Sequence, residues 1–355
     1  MVRTAIFGLG GVAERIHLPA CRAIGEIQVV AACEPLEARR EQMRARFQLP
    51  AVYADAQTLL EAENPELVIV GTPPDSHRDL CLLALESGAH VLCEKPFMLT
   101  VDEADEAIAA AGRQKRLLAV NTQYRYMATY RRAQQRLADG EFGRLFFLQC
   151  WQQMFHPPVF EKVPWRAALK QSTLFEFGAH ALDLICFFFD ALPAAVSACI
   201  PRVRQEYDSD VLVQTTLHFA DERLATLALN RVSHAPERYL EMRLDCEQAS
   251  LRLSLGGVAR ASVEMTRHRG RTRPNVRASF VKGGEARMEA GGRSTVIAAE
   301  PQTAFASATA MHLREFLGEM QQPAPNLSRA QHAREILRLV FAGYEAARRR
   351  TVIEL

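Results

Sequence analysis

Short apolar runs separated by helical stretches dominate the first part of the chain. Thr4–Phe7, Gln28–Cys33, Leu67–Val70, His90–Cys93 and Leu117–Val120 are mainly apolar and bounded by Gly, Pro or polar residues. That is the pattern of strands covered on both faces. Helical stretches follow them: one to about Ile24, one through Leu85 with Ser76 or Asp75 as candidate cap, and Val101–Gln114. Strands alternating with helices build right-handed βαβ units and a doubly wound parallel sheet. Farther on the rhythm changes. Leu145–Gln152 reads as a strand, and Val211–Phe219, Ala225–Val232, Tyr239–Asp245 and Ser250–Leu255, alternating or β-rich and joined by turns, predict an antiparallel sheet. Helices are expected at Tyr130–Ala138, Thr173–Phe189, about Ala306–Met320 and Arg329–Arg350. The predicted class is α/β, with a dinucleotide-binding domain over residues 1–121 and a second α/β domain over 122–355. The last helix, 329–350, is free to pack back on the first domain.

Composition narrows the function classes. A chain of 355 residues has room for two cores, and 48% hydrophobic with 24% charged residues is ordinary for a globular enzyme. A formal net charge of +2 gives no overall field for nucleic acid or a membrane surface. No apolar run reaches the length of a membrane-spanning helix, and Met1-Val2-Arg3 leads into a strand without a signal-peptide pattern. The 8 cysteines lack CxxC or zinc-type spacing, so they read as reduced core thiols, with no metal site expected. A cytoplasmic protein is the expectation. Arg267–Arg293, dense in Arg and Gly, reads as a solvated loop with edge strands rather than a nucleic-acid patch.

Candidate chemistry begins at Gly8-Leu9-Gly10-Gly11-Val12-Ala13, which lies between a strand and a helix. It fits the dinucleotide fingerprint with Ala in the third glycine position. Glycines allow the tight turn, and the helix that follows offers unpaired N–H groups to a pyrophosphate. Glu34, closing the second strand, is placed for the adenosine ribose hydroxyls, and its charge favours NAD over NADP. Arg39 and Arg40 on the next helix leave NADP possible, or form a solvated basic face. Cys93-Glu94-Lys95-Pro96 ends a strand at the side of the sheet where ligands bind, which points the Lys95 ammonium at cofactor and substrate.

In the second domain Glu176, His180 and Asp183 are spaced i, i+4 and i+7 along an otherwise apolar helix, so regular α winding sets them on one face. Buried ionisable groups need pairing or a function. Either His180 and Asp183 form a structural pair, or the group serves catalysis. His180 suits a general base near neutral pH, and Lys95 suits stabilisation of a developing alkoxide. Which of the two takes the proton stays open. His156 and Arg166, around a loop broken by Pro157-Pro158, are further candidates for substrate contacts, as is Tyr124, for which packing is an equal reading.

These segments, with His17-Leu18-Pro19, Thr72-Pro73-Pro74-Asp75-Ser76-His77, Asn121-Thr122-Gln123-Tyr124-Arg125-Tyr126, Gly143-Arg144-Leu145, Trp165-Arg166 and Gly178-Ala179-His180-Ala181-Leu182-Asp183, resemble the Gfo/Idh/MocA oxidoreductases over nearly the whole chain. The resemblance implies a Rossmann domain followed by an α/β domain with an open, mostly antiparallel sheet. It implies Lys95 and His180 as catalytic residues, with Glu176 standing where the family has aspartate. It adds Thr72, Pro73, His77 and Glu94 to Gly8, Gly10, Gly11, Val12, Glu34 and Lys95 as cofactor contacts. Lys95, Tyr124, His156, Arg166, Glu176, His180 and Asp183 form the expected substrate set. Lys170-Gln171-Ser172-Thr173 replaces a glycine run usual in the family. The implied activity is hydride transfer between nicotinamide and a sugar, inositol or related cyclic polyol. The alternatives are a redox-neutral NAD-dependent sugar-modifying enzyme or a non-catalytic NAD-binding regulator. A homodimer or homotetramer through the second sheet is implied as well.

Overall fold

The computed structural model describes residues 1–355 apart from 236–237, 257, 260–262, 269–270, 277–279, 282 and 302–303. The chain divides into two compact units, Met1–Tyr126 with Phe305–Ala342, and Met127–Ala304 with Gly343–Leu355. The sequence pattern assigned everything after 121, the last helix aside, to the second domain. What recruits 305–342 to the first unit is a long-range apolar match that no local pattern announces.

The first unit is built on β1 (Val2–Phe7), β2 (Ile27–Cys33), β3 (Ala51–Tyr53), β4 (Leu67–Val70), β5 (His90–Cys93) and β6 (Leu118–Val120). They form a six-stranded sheet in the order β3-β2-β1-β4-β5-β6, every pair parallel. Its helices are a π-wound turn Ala13–His17 running into α1 (Leu18–Arg22), then α2 (Glu37–Phe47), α3 (Ala56–Glu63), α4 (His77–Glu86) and α5 (Val101–Gln114). β4 and β5 are buried almost throughout because helices cover both faces of the sheet. β3 and α3 were not anticipated. β3 is short and only half-buried, and α3 is set by a local cap in which Asp55 Oδ1 accepts from Thr58 N at 2.8 Å.

Leu9, Leu18, Ile24, Met43 and Leu67 share one core cluster with Leu313, Phe316 and Leu317, which come from a helix far along the chain. Burying a side chain such as Phe316 contributes about 1.5–3 kcal/mol, enough to hold that helix in the unit.

The second unit contains a nine-stranded sheet made of β7 (Leu145–Gln153), β8 (Ala195–Cys199), β9 (Leu212–His218), β10 (Leu224–Asn230), β11 (Arg238–Cys246), β12 (Ser250–Leu255), β17 (Gly284–Ala290), β18 (Arg293–Glu300) and β19 (Ile353–Glu354). The order is β18-β17-β12-β11-β7-β10-β9-β8-β19; β7 and β10 pair in parallel and the other neighbours are antiparallel. Two short ladders, β13 (Val258–Ala259) with β16 (Phe280–Val281) and β14 (Val263–His268) with β15 (Arg271–Val276), lie between β12 and β17 in sequence. The region expected as a loop with edge strands therefore includes β17, which is paired on both sides. Alternation along β7 buries Leu148, Cys150 and Gln152 and leaves Phe147, Gln149 and Trp151 partly exposed. Helices α6 (Ala128–Ala138), α7 (Pro164–Ala167) and α8 (Ala179–Phe189) belong to this unit. Near the chain's end come α9 (Ala304–Met320) and α10 (Ser328–Arg349); the division between units falls inside α10. Among the described residues no helix is long and apolar enough to cross a membrane.

Candidate functional site

Strand register assembles the candidate site of the first unit. Phe7 pairs with Cys33 and with Val70, Val70 with Cys93, and Cys93 with Val120. The residues that follow these strands, Glu34, Gly8, Gly71, Glu94 and Asn121, therefore emerge side by side at the carboxyl edge of the sheet. Open α/β sheets bind ligands at that edge.

Gly8 has φ 84°, and a Cβ on it would lie 2.8 Å from Thr72 Cγ2 and 3.0 Å from Gly71 O, so only glycine fits. Gly10 and Gly11 sit exposed at the tip of the turn. A Cβ on Gly10 would meet nothing within 4 Å, which leaves the backbone there open to close approach. Val12 follows, partly buried, in the first helical turn. This turn and the helix it opens fit a pyrophosphate. Glu34 stands beside it, accepting from Leu9 N at 3.0 Å and Leu36 N at 3.1 Å. Arg39 is committed elsewhere: Nε donates to Leu9 O at 2.7 Å and Nη2 to Glu14 at 2.6 Å. Arg40 donates to the backbone of Glu34 at 2.7 Å.

On the loop after β4, Thr72 is partly buried and Pro73 exposed. Ser76 does not cap α4. Its hydroxyl lies 2.7 Å from Thr72 Oγ1 and 2.8 Å from Pro73 O, and Pro74–Ser76 wind as a 3-10 turn. His77, expected among the cofactor contacts, is turned into the core at 0% exposure. One ring nitrogen lies 2.9 Å from Thr72 O and the other 3.0 Å from Pro96 O and Phe97 O, so it joins the loops after β4 and β5.

Glu94 is the hub of the edge. Its Oε1 accepts from Asn121 Nδ2 at 2.7 Å and lies 2.9 Å from His17 Nε2, while Oε2 accepts from Lys95 N at 3.1 Å. Burial pushes the carboxyl pKa up, but His17, Asn121 and the Lys95 charge outweigh it and hold Glu94 down at about 2. Asn121 is held in turn from α9, with Nδ2 3.3 Å from Thr309 Oγ1 and Oδ1 3.3 Å from His312 Nδ1. Lys95 is partly buried beside this fixed negative charge. Tyr124, at 4% exposure, packs with its ring 5.7 Å from Phe305, which places it in the core of the first unit.

In the second unit a π-wound turn, Thr173–Gly178, runs directly into α8. Asp210 holds its start: Oδ1 accepts from Ser172 N at 2.6 Å and Thr173 N at 2.9 Å, and Oδ2 from Tyr344 Oη at 3.0 Å. Glu176 lies in the π-wound turn, and His180 and Asp183 follow it in α8. Glu176 and Asp183 are buried, and His180 is partly exposed. Glu176 Oε2 lies 3.4 Å from Arg166 Nε, and His156 Nε2 lies 3.6 Å from Glu161. The structure thus brings Arg166 to Glu176, with His156 tied in through Arg231.

Arg231, 5% exposed, donates to His156 O at 3.2 Å and Ser172 Oγ at 2.9 Å. Burial draws its pKa down, opposed by Asp210, Glu161 and Glu176. The sequence reading missed Arg231, although it continues the inward series Ala225, Leu227, Leu229 of a predicted strand, where a charge is out of place. His17 was read only as part of the segment His17-Leu18-Pro19, and Asp210 and Tyr344 not at all, because only tertiary contacts reveal their partners.

A doubly wound sheet with a glycine turn and an acidic strand end, joined in sequence to a mixed-sheet unit, defines a two-unit α/β protein of the dinucleotide-binding class. Residues 2–122 match the model of an oxidoreductase family with an NAD-binding Rossmann fold, and residues 130–252 match the GFO/IDH/MocA C-terminal domain. The chain belongs to the Gfo/Idh/MocA oxidoreductase family. It is 31% identical over 180 residues to D-apiose dehydrogenase of Paraburkholderia graminis, covering 50% of this chain and 48% of that protein. To D-glucoside 3-dehydrogenase of Escherichia coli it is 28% identical over 145 residues, 41% of each chain. The matches thus span half or less of these relatives. An oxidoreductase from Agrobacterium radiobacter, solved with NAD+, L-tartaric acid and magnesium, shares the fold with a TM-score of 0.82 at 16% identity, covering 99% of this chain and 98% of that one.

Proposed function

We propose that the protein is an NAD-dependent dehydrogenase or reductase acting on a hydroxyl or keto carbon of a sugar, inositol or related cyclic polyol. The observation that carries the reading is the row at the carboxyl edge, where Lys95 stands next to a Glu94 fixed by His17 and Asn121 and near the open glycine turn. Bound nicotinamide would supply the hydride acceptor or donor. The residues of the chain supply position and charge. Gly8 permits the tight turn, and Gly10, Gly11 and Val12 leave room and N–H groups for the pyrophosphate.

Glu34 exchanges its contacts with Leu9 N and Leu36 N for the ribose hydroxyls. Its carboxylate, together with the engagement of Arg39 by Glu14, supports NAD over NADP. Lys95 stabilises the reacting oxygen as charge develops, and His180 takes or returns its proton. Glu176, Arg166, His156 and Asp183 serve substrate hydroxyls. The sugar and polyol class is supported by the names of the relatives, D-apiose and D-glucoside dehydrogenases. Partly exposed outward residues of β7 support self-association through the second sheet.

The test is absorbance of the reduced nicotinamide with NAD and then NADP, across aldoses, inositols, sugar acids and anhydro-sugars, with keto-sugars and NADH for the reverse. Signal with one substrate class establishes the dehydrogenase, and comparison of epimers locates the carbon. Silence despite measured NAD binding defeats this reading and favours a redox-neutral enzyme or a regulator.

A further inference from the structure

The pair between His17 and Glu94 has no direct part in hydride transfer, yet both side chains are buried at the carboxyl edge of the sheet. His17 is 0% exposed, and its Nε2 lies 2.9 Å from Glu94 Oε1. Among the described residues neither ring nitrogen has an aligned hydrogen-bond partner, so the polar contact of the ring is the 2.9 Å approach of Nε2 to Glu94 Oε1. A leucine would fill an interior helix position without the cost of desolvating an imidazole. What histidine adds there is its contact with the carboxylate. The helix itself departs from regular winding, with a π-helical stretch from Ala13 that ends at His17. Such bulges disturb the hydrogen-bond ladder and recur at functional sites.

We propose that His17 is a positioning residue for Lys95. It braces the Glu94 carboxylate, whose other oxygen accepts from the Lys95 amide at 3.1 Å, and so fixes the backbone from which the Lys95 side chain departs. Because His17 lies on the helix that opens at Gly10 and Gly11, the same residue ties the glycine turn to Lys95. The helix end at the turn, the imidazole, the carboxylate and the lysine amide make one continuous path. Asn121 Nδ2, 2.7 Å from the same Oε1, holds the carboxylate from the other side, so His17 sets its direction rather than its presence. The inference rests on the assignment of Lys95 to the reacting oxygen, but the bracing itself does not depend on turnover.

The experiment compares His17→Gln, whose amide reaches about as far as Nε2, with His17→Asn, whose shorter amide does not reach Glu94. Both keep a polar side chain of similar cost in the same interior position, so they differ in reach rather than in character. Exchange of the Lys95 amide hydrogen, read by mass spectrometry without cofactor, reports the bracing directly. His17→Asn is expected to raise that exchange roughly tenfold, the loss of about one hydrogen bond, with peptides from β2 unchanged. It is expected to lower kcat roughly 10²-fold with NAD affinity kept. His17→Gln should stay close to the parent protein in both readouts.

Equal behaviour of the two folded variants overturns the proposal, as does a fall in kcat with no change in Lys95 amide exchange. If the parent protein turns over no sugar or polyol, the proposed function fails, while the exchange comparison still decides the role of His17.

Discussion

Replacing Glu94 by Gln tests whether a charge, rather than a hydrogen bond, holds the carboxyl edge of the sheet. Glutamine keeps the shape and an acceptor for the Lys95 amide, but it loses the negative charge facing His17. The folded carboxyl titrates at about 2 against an ordinary value of 4.5. At about 1.4 kcal/mol per unit, that shift corresponds to roughly 3 kcal/mol of stability at neutral pH. A neutral hydrogen bond would account for only about 1 kcal/mol.

The pH dependence has a definite sign. A depressed carboxyl stabilises the fold fully above the unfolded value of 4.5, and the contribution fades as pH falls toward about 2. The gap between parent and Glu94→Gln should therefore be on the order of 3 kcal/mol at pH 7 and about 2 kcal/mol at pH 3.5. Hydrogen exchange of the slowest amides in β1 and β4 gives the opening free energy of this unit for both proteins. A gap near 1 kcal/mol, or one that does not change with pH, refutes the argument that Glu94 is held as a charge.

Lys95→Ala and His180→Ala should each lower turnover by roughly 10²-fold or more while NAD affinity persists; unchanged turnover in both removes the proposed pair. Glu34→Ala should weaken NAD and raise the NADP-to-NAD ratio of kcat/KM, and a constant ratio refutes the ribose assignment. Asp210→Ala takes away the acceptor of Ser172 N, Thr173 N and Tyr344 Oη. It should destabilise the second unit by about 2 kcal/mol, read by urea unfolding with the fluorescence of Trp151 and Trp165, whereas a shift below about 0.5 kcal/mol would show that the helix start is held by other contacts.

Periodicity and turn chemistry were enough to place β1, β2, β4, β5 and β6 of the first sheet, the glycine turn and the segment that carries Lys95, because each depends on residues adjacent in sequence. A buried parallel strand must be apolar throughout, and a backbone at φ 84° against Gly71 must be glycine, so these features are written locally. Tyr124 and His77 show where that reading stops. His77 was expected at the cofactor, and Tyr124 either at the substrate or in packing; both side chains are buried, since burial depends on what packs over a residue and not on its neighbours along the chain. Glu176, His180 and Asp183 were legible as chemistry, but the π-wound turn that carries Glu176 and the hold of Asp210 on its start were not.

Sequence by itself determined the residue types that make a dinucleotide fold and the acid, base and ammonium groups available to it. Tertiary structure alone decided which groups meet: Glu94 with His17 and Asn121, Arg166 with Glu176, Arg231 with Ser172. The reason is that a charge buried away from water is tolerable only where partners from distant segments converge on it, and that convergence is a property of the folded chain.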